Sequence, residues 1–124
     1  MSFRLNAILL LVAICISACG GYATSPSATS QPAPDGSTTI SMPGGASVLT
    51  TTAFGTNPLK IAVGTTVSWL NSDSTTHTSA ADGGAWTSGN IAPGARYNFT
   101  FQSAGQFTYH CQIHPGMTGT IVVQ

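Results

Sequence analysis

Charged side chains are scarce in this chain of 124 residues, of which they make up 5%. Lysine and arginine together number three, aspartate also numbers three, and glutamate is absent. A net charge of zero provides no extended basic surface of the kind that binds phosphate backbones, which excludes nucleic-acid binding. The same scarcity excludes the large acidic or basic patch that steers a charged partner from a distance.

Cysteine is also scarce, and its three copies have different expected fates. Cys15 lies in an N-terminal apolar run, and Cys19 follows shortly after that run. If Cys15 leaves with an export signal and Cys19 carries lipid, Cys111 is the one remaining thiol and an internal disulfide is excluded. A lone thiol on an exported protein is prone to oxidation unless something occupies it, and a metal ion would do so.

The first 18 residues have the features of a bacterial export signal. Arg4 supplies the positive start, and the apolar run over 7–16 is too short for a transmembrane helix, which needs roughly 20 residues. The segment at 16–19, ISAC, resembles a lipobox, in which cleavage precedes the cysteine and the cysteine receives lipid. We therefore predict a lipoprotein signal peptide over 1–18 and lipidation of Cys19. The alternative is an ordinary signal peptide that is cleaved nearby.

A tether and one domain are predicted to follow. Residues 20–37 read GGYATSPSATSQPAPDGS, a sequence dominated by Gly, Pro, Ser and Thr without apolar periodicity. The random-coil reach of such a segment is roughly 24 Å, enough to hold a domain just off a membrane. The prediction is a lipid-anchored tether over 19–37 and a single domain over 38–124.

Turn signals punctuate the domain, and no segment has a convincing helical period. The chain contains 14 glycines and 7 prolines, a composition that disfavours helix bundles and coiled coils. Short stretches rich in β-branched and aromatic residues predict eight strands, near 38–42, 46–53, 59–63, 65–70, 76–81, 96–102, 106–111 and 118–123. We expect an all-β fold, an antiparallel Greek-key β-sandwich. Its core is expected to hold the aromatic side chains Trp69, Trp86, Tyr97, Phe99 and Phe101.

One short segment combines three types of metal-binding side chain. Cys111, His114 and Met117 have the spacing Cys-x2-His-x2-Met, and His77 lies in a polar turn after a predicted strand. Thiolate and thioether are soft ligands, and the addition of imidazole suits copper in either oxidation state. Two histidines, one cysteine and a weak axial methionine form the ligand set of blue-copper electron-transfer sites.

Each of these residues also has a simpler interpretation. His77 could be a solvated turn histidine, Cys111 a buried structural thiol and His114 an ordinary surface residue. Met117 could be a core side chain, with the axial position weak or empty. His110 directly precedes Cys111 on a predicted strand, so its side chain is expected on the opposite face and is not expected to bind metal.

Three segments of the domain resemble the cupredoxins of the plastocyanin/azurin family. They are GTTVSWLN at 64–71, followed by His77; GNIAPG at 89–94; and GQFTYHC at 105–111, followed by His114 and Met117. The resemblance covers nearly all of residues 46–123. The short loop from Cys111 to Met117 is most similar to the copper loop of the amicyanins.

This resemblance implies one copper ion that cycles between Cu(II) and Cu(I), with His77, Cys111, His114 and Met117 as its ligands. It further implies a small blue copper protein that shuttles single electrons between periplasmic or cell-surface redox partners docking near His114. Four ligands leave no open position for a substrate, so we expect no enzyme activity, and we expect a monomer. Two alternatives are a copper-delivery protein of the same fold and a sandwich module that has lost its metal.

Three further residues are expected around the copper site. Thr78 stands where the family often has an asparagine that bonds across to the cysteine loop, and a threonine hydroxyl has a shorter reach. Ile113 stands where amicyanins have proline, so its backbone N–H is free to donate. We expect the N–H groups of Ile113 and Thr78 both to point at the Cys111 sulfur. Asn71, which closes the first segment of the resemblance, is also placed beside the site.

Overall fold

The structure is a computed structural model that describes residues 33–124. The predicted signal peptide at 1–18, the lipidation at Cys19 and most of the tether at 19–37 lie outside the described residues. The described part contains seven strands: β1 (Thr38–Met42), β2 (Leu59–Ile61), β3 (Thr66–Asn71), β4 (Ala80–Ala81), β5 (Arg96–Thr100), β6 (Gly105–His110) and β7 (Thr118–Val123). Among residues 33–124, no helix is both long and apolar enough to cross a membrane.

The seven strands form two sheets, with the orders β1-β3-β5 and β2-β7-β6-β4. Strands β3 and β5 are antiparallel, as are β6 with β7 and β4 with β6. Strands β1 and β3 are parallel, and so are β2 and β7. The all-β class is confirmed, but both sheets are mixed rather than wholly antiparallel. The physical reason is that β2 lies in the other sheet, so the chain crosses between the sheets twice before β3 pairs with β1 in the same direction.

The strand predicted over 46–53 is wrong, because this segment forms two short 3₁₀ helices, Ala46–Val48 and Thr50–Thr52. Its β-branched residues favour a strand, but the backbone closes tight turns instead. The N–H of Leu49 donates to the carbonyl of Ala46 at 3.1 Å, and the N–H of Thr52 donates to that of Leu49, also at 3.1 Å. Val48 is 78% exposed, so the alternation of buried and exposed side chains expected of a strand is absent.

The core between the sheets is built around two tryptophans. Trp69 of β3 is fully buried, and its ring centroid lies 5.4 Å from that of Trp86, 5.8 Å from Tyr97 and 5.7 Å from Tyr109. Aromatic pairs at such distances stabilise a core beyond the area that they bury. The predicted core position is confirmed for Trp69, Trp86 and Phe101, and the predicted Tyr97 and Phe99 are partly buried against this core. Because Trp69 and Tyr109 contact each other across the sandwich, they fix β3 relative to β6.

Tyr109 also limits which residue can occupy the neighbouring strand. It pairs with Gly119 of β7, and a Cβ atom added at Gly119 would stand 2.6 Å from the Tyr109 Cε1 atom and 2.6 Å from its phenol oxygen. Only glycine fits at this position without displacement of the buried tyrosine ring.

Candidate metal centre

The loop that follows β3 is held by one fully buried side chain, Asn71. Its amide nitrogen donates to the carbonyl of Thr75 at 2.7 Å and to the carbonyl of Ile91 at 2.8 Å. Its amide oxygen accepts the N–H of Asp73 at 2.9 Å. These bonds define the path of the loop that leads to His77. The role of Asn71 beside the site is therefore to hold this loop in place.

His77 is fully buried, so it is not the solvated turn histidine of the simpler interpretation. Its backbone forms an isolated bridge with Ile91, in which His77 N–H donates to the Ile91 carbonyl at 3.2 Å and the Ile91 N–H donates back at 2.8 Å. This bridge occupies part of the strand predicted over 76–81, of which only β4 forms a regular strand. The strand is shorter than predicted because the backbone at His77 pairs with the loop at Ile91 instead.

The second part of the site follows β6. The Cys111 N–H donates to the Met117 carbonyl at 3.0 Å, and the Met117 N–H donates to the His114 carbonyl at 2.9 Å. These two bonds close the loop into a compact turn. Cys111 and Met117 are fully buried, whereas His114 is half-buried.

Three side-chain atoms converge where the two loops meet. The Nδ1 atoms of His77 and His114 are 3.2 Å apart, and the Cys111 Sγ lies 3.9 Å from the first and 3.7 Å from the second. A point equidistant from three atoms with these separations lies about 2.1 Å from each, within the about 2.0–2.3 Å of metal–imidazole and metal–thiolate bonds. The three residues are thus arranged as a trigonal donor set for one metal ion.

Thr78 connects the two loops of the site. Its backbone N–H donates to the Cys111 Sγ at 3.3 Å, as expected from the sequence. Its hydroxyl oxygen accepts the N–H of Gln112 at 2.7 Å, and the hydroxyl lies 3.8 Å from the same sulfur as a longer donor. The shorter reach of threonine therefore still spans the gap to the cysteine loop.

The hydrogen bond predicted from Ile113 to the Cys111 sulfur is wrong. Within residues 33–124, Thr78 supplies the backbone N–H that contacts this sulfur, and no bond joins the sulfur to Ile113. The Gln112 N–H is held by the Thr78 hydroxyl, and the chain then turns outward, with the Ile113 side chain 47% exposed.

His110 faces away from the converging atoms, as expected from its strand position. Its Nδ1 lies 2.6 Å from the Asp82 Oδ1 on the partly exposed side of the sheet. Hydrogen bonds from the Thr108 side chain and from His110 lower the pKa of the Asp82 carboxyl. This pair is separate from the metal-binding atoms.

Asp73 is the residue near the site that sequence reasoning missed. It is 7% exposed, and its Oδ2 accepts a hydrogen bond from the His77 Nε2 at 2.9 Å. That hydrogen bond is the main reason why the pKa of the Asp73 carboxyl lies well below its usual range, although burial opposes the shift. A sequence signal existed, because Asp73 is one of three acidic residues and lies four positions before His77.

Residues 44–124 match the family described as copper binding proteins, plastocyanin/azurin family. This chain belongs to that family. The amicyanin of Paracoccus denitrificans is 34% identical to this cupredoxin over 76 residues, which cover 57% of this chain and 58% of amicyanin. The match thus spans less than two thirds of that relative.

Solved cupredoxin structures are also similar to this chain. A purple cupredoxin from Nitrosopumilus maritimus aligns with a TM-score of 0.63 and 31% identity, over 69% of this chain and 98% of that one. An oxidised proline-to-alanine variant of amicyanin aligns with a TM-score of 0.65 and 27% identity, over 77% and 90% of the two chains. The predicted family, its sandwich fold and the similarity to amicyanin are confirmed. Copper is the cofactor of this family, and the donor set of His77, Cys111 and His114 fits it.

Proposed function

We propose that the protein is a type 1 copper electron carrier in which His77, Cys111, His114 and Met117 hold one copper ion. The observation that carries this proposal is the convergence of two imidazole Nδ1 atoms and one buried sulfur at metal-binding separations. Copper in such a site supplies one-electron chemistry, as it cycles between Cu(II) and Cu(I).

The residues of this chain would hold the ligands in nearly the same place in both oxidation states. The Asn71 bonds fix the loop of His77, the Thr78 hydroxyl ties that loop to the cysteine loop, and the Met117 backbone closes the turn. Because Cys111 and Met117 are fully buried, water is kept away from their sulfur atoms. When the ligands move little between the two oxidation states, the reorganisation energy that opposes electron transfer is small.

Burial of the methionines favours electron transfer over copper delivery. A protein that hands copper to a partner needs an exposed site rich in methionine or histidine. Within residues 33–124 the two methionines are Met42 and Met117, and both are fully buried. Four ligands also fill the proposed site and leave no position for a substrate, which supports a carrier rather than an enzyme.

The proposed route for electrons is through the edge of His114. This ligand is half-buried, and the loop around it exposes Ile113, Pro115 and Gly116. With so few charges on the surface, redox partners would dock here through apolar and transient contacts. We propose that the carrier acts as a monomer.

Absorption spectroscopy of the copper-loaded protein tests the proposed function. The oxidised protein should show an intense visible copper–thiolate band that ascorbate bleaches reversibly. The Cys111→Ser variant should lack this band, whereas Ser103→Ala, which alters an exposed residue in the turn between β5 and β6, should keep it. A wild-type protein that binds copper without the band would contradict the proposal.

We also propose that Cys19 is lipidated and that the tether at 19–37 holds the domain at a membrane facing the bacterial periplasm or the cell surface. The support is the sequence pattern at 16–19 and the composition of the tether. In the Cys19→Ala variant, the protein should be released from the membrane fraction, or should stay there only through an uncleaved signal peptide. The copper spectrum of the variant should be unchanged. Wild-type protein that is released without detergent would contradict the anchor.

A further inference from the structure

The Asp73 carboxylate joins His77 to two other parts of the fold. Its Oδ2 accepts hydrogen bonds from the His77 Nε2 at 2.9 Å, the Thr75 hydroxyl at 3.2 Å and the Ala46 N–H at 3.2 Å. Its Oδ1 accepts the Ser74 N–H at 2.7 Å. The 3₁₀ segment after β1, the loop after β3 and the imidazole of His77 are thus connected through one side chain.

This arrangement determines which nitrogen of His77 carries a proton. An ionised carboxylate can only accept hydrogen bonds, so the Nε2 that faces Asp73 must be the protonated nitrogen. The lone pair is then on Nδ1, which is the atom that faces His114 and Cys111. Histidine ligands of metals are commonly oriented in this way by a carboxylate.

The negative charge of Asp73 is not paired with a lysine or arginine. Within residues 33–124, the basic side chains within salt-bridge distance of a carboxylate are His77, beside Asp73, and His110, beside Asp82. The other groups that contact Asp73 are neutral donors, the backbone of Ala46 and Ser74 and the hydroxyl of Thr75. A charge in this nearly buried position is screened less than one at the surface, so it acts on the neighbouring metal centre.

We propose that Asp73 is the positioning residue of the copper site, which fixes the Nε2–H tautomer of His77 and, through its charge, favours Cu(II) over Cu(I). The inference rests on the proposed function, since it takes His77 as a copper ligand. No exchange of protons is required, and the electron moves between copper and the redox partner as before. Asp73 therefore acts on the reduction potential without contact with the metal.

The test compares two variants that each remove one negative charge. Asp73→Asn removes the buried charge, and Asp82→Asn removes one from a carboxylate whose side chain is 49% exposed. Redox titrations of the copper-loaded proteins measure the effect. At a given applied potential, the Cu(I)/Cu(II) ratio should rise about tenfold more in Asp73→Asn than in Asp82→Asn. This corresponds to a reduction potential about 59 mV higher for a one-electron couple. Asp73→Glu, which keeps the charge, should return the potential toward the wild-type value. Equal potentials in the two asparagine variants would overturn the proposal.

A second measurement uses the metal-free wild-type protein, so it does not depend on copper binding or on the folding of a variant. Nitrogen NMR of the metal-free wild-type protein should show His77 protonated at Nε2, with slow exchange of that proton. A neutral His77 with its proton on Nδ1 and none on Nε2, or rapid exchange at Nε2, would overturn the proposal. These outcomes are distinct from failure of the proposed function, which would appear as a wild-type protein without a copper–thiolate band.

Discussion

At the scale of single residues, the Thr78 hydroxyl joins the two halves of the metal centre. The Gln112 N–H that it accepts is part-buried, so removal of the acceptor leaves a donor without a partner. We predict that Thr78→Val lowers the free energy of unfolding by about 1–3 kcal/mol. Urea denaturation of the metal-free protein measures this loss, and Thr78→Ser, which keeps the hydroxyl, should lose less. Equal loss in both variants would indicate that the methyl group, rather than the hydroxyl, matters.

Met117 provides a second test at this scale, because its sulfur is proposed as the weak axial ligand. Leucine has a similar volume, so Met117→Leu should preserve the packing of this fully buried position. Loss of the thioether removes electron donation that favours Cu(II), and an axial ligand tunes the potential. We predict that the variant stays coloured and has a higher reduction potential in a redox titration. An unchanged potential would assign Met117 to the core alone.

The sequence predicted residues of the metal centre better than their surroundings. Spacing alone selects Cys111 and His114, because a short loop after a strand brings both to one point. The Asp73 contact depends on how the loop after β3 closes onto the 3₁₀ segment, which no local pattern encodes. Whether the Ile113 N–H reaches the Cys111 sulfur depends on backbone angles within a turn, and the type of residue does not determine these angles.

At the scale of elements, the segment over 46–53 shows how far β-propensity depends on its surroundings. Three consecutive threonines and Val48 are typical of a strand, yet this stretch forms 3₁₀ turns without a strand partner. Its hydrogen bond from the Ala46 N–H to Asp73 links it to the metal centre instead. Strands with a buried face and a paired neighbour, such as β3 and β7, were predicted to within a few residues.

The contact between β6 and β7 provides a prediction at this scale. Gly119→Ala would place a Cβ against the ring of Tyr109, which is 2% exposed and is packed among other aromatic rings. Since overpacking of a core costs about 1–3 kcal/mol, we predict a loss of that size in the free energy of unfolding. Gly83→Ala is the matched control, because an added Cβ there meets no atom within 4 Å. Similar urea midpoints for the two variants would contradict this account.

At the scale of the whole molecule, the sequence identified two-layer β architecture but not the parallel pairs. Periodicity and turn signals give the number and approximate place of strands, whereas pairing depends on which sheet each strand joins. The parallel pairing of β2 with β7 joins residues far apart in the chain, and nothing in the three residues of β2 specifies that partner.

The scarcity of charge leads to a prediction for the whole surface. Within residues 33–124, few charged side chains lie outside the metal centre, and they are Asp35, Lys60, Asp82 and Arg96. Screening acts over about 8 Å at physiological salt, and such a surface has little long-range field to screen. We predict that electron self-exchange between the Cu(I) and Cu(II) proteins, measured by NMR line broadening, changes much less than about tenfold between low and moderate salt. A larger change would show that electrostatic repulsion or steering controls the encounter.

The parallel pairing of β1 with β3 also fixes the orientation of the domain. Thr38 pairs with Val67 near the start of β3, whereas the far end of β3 leads to His77, so the first strand begins at the pole opposite the metal centre. The last strand starts beside Met117 and runs back to the same opposite pole, where the Gln124 N–H bonds to the Ile61 carbonyl. The two poles are separated by about 20 Å, the length of a six-residue strand. A domain immobilised on an electrode through either terminus would therefore turn its copper away from the conducting surface and toward proteins in solution.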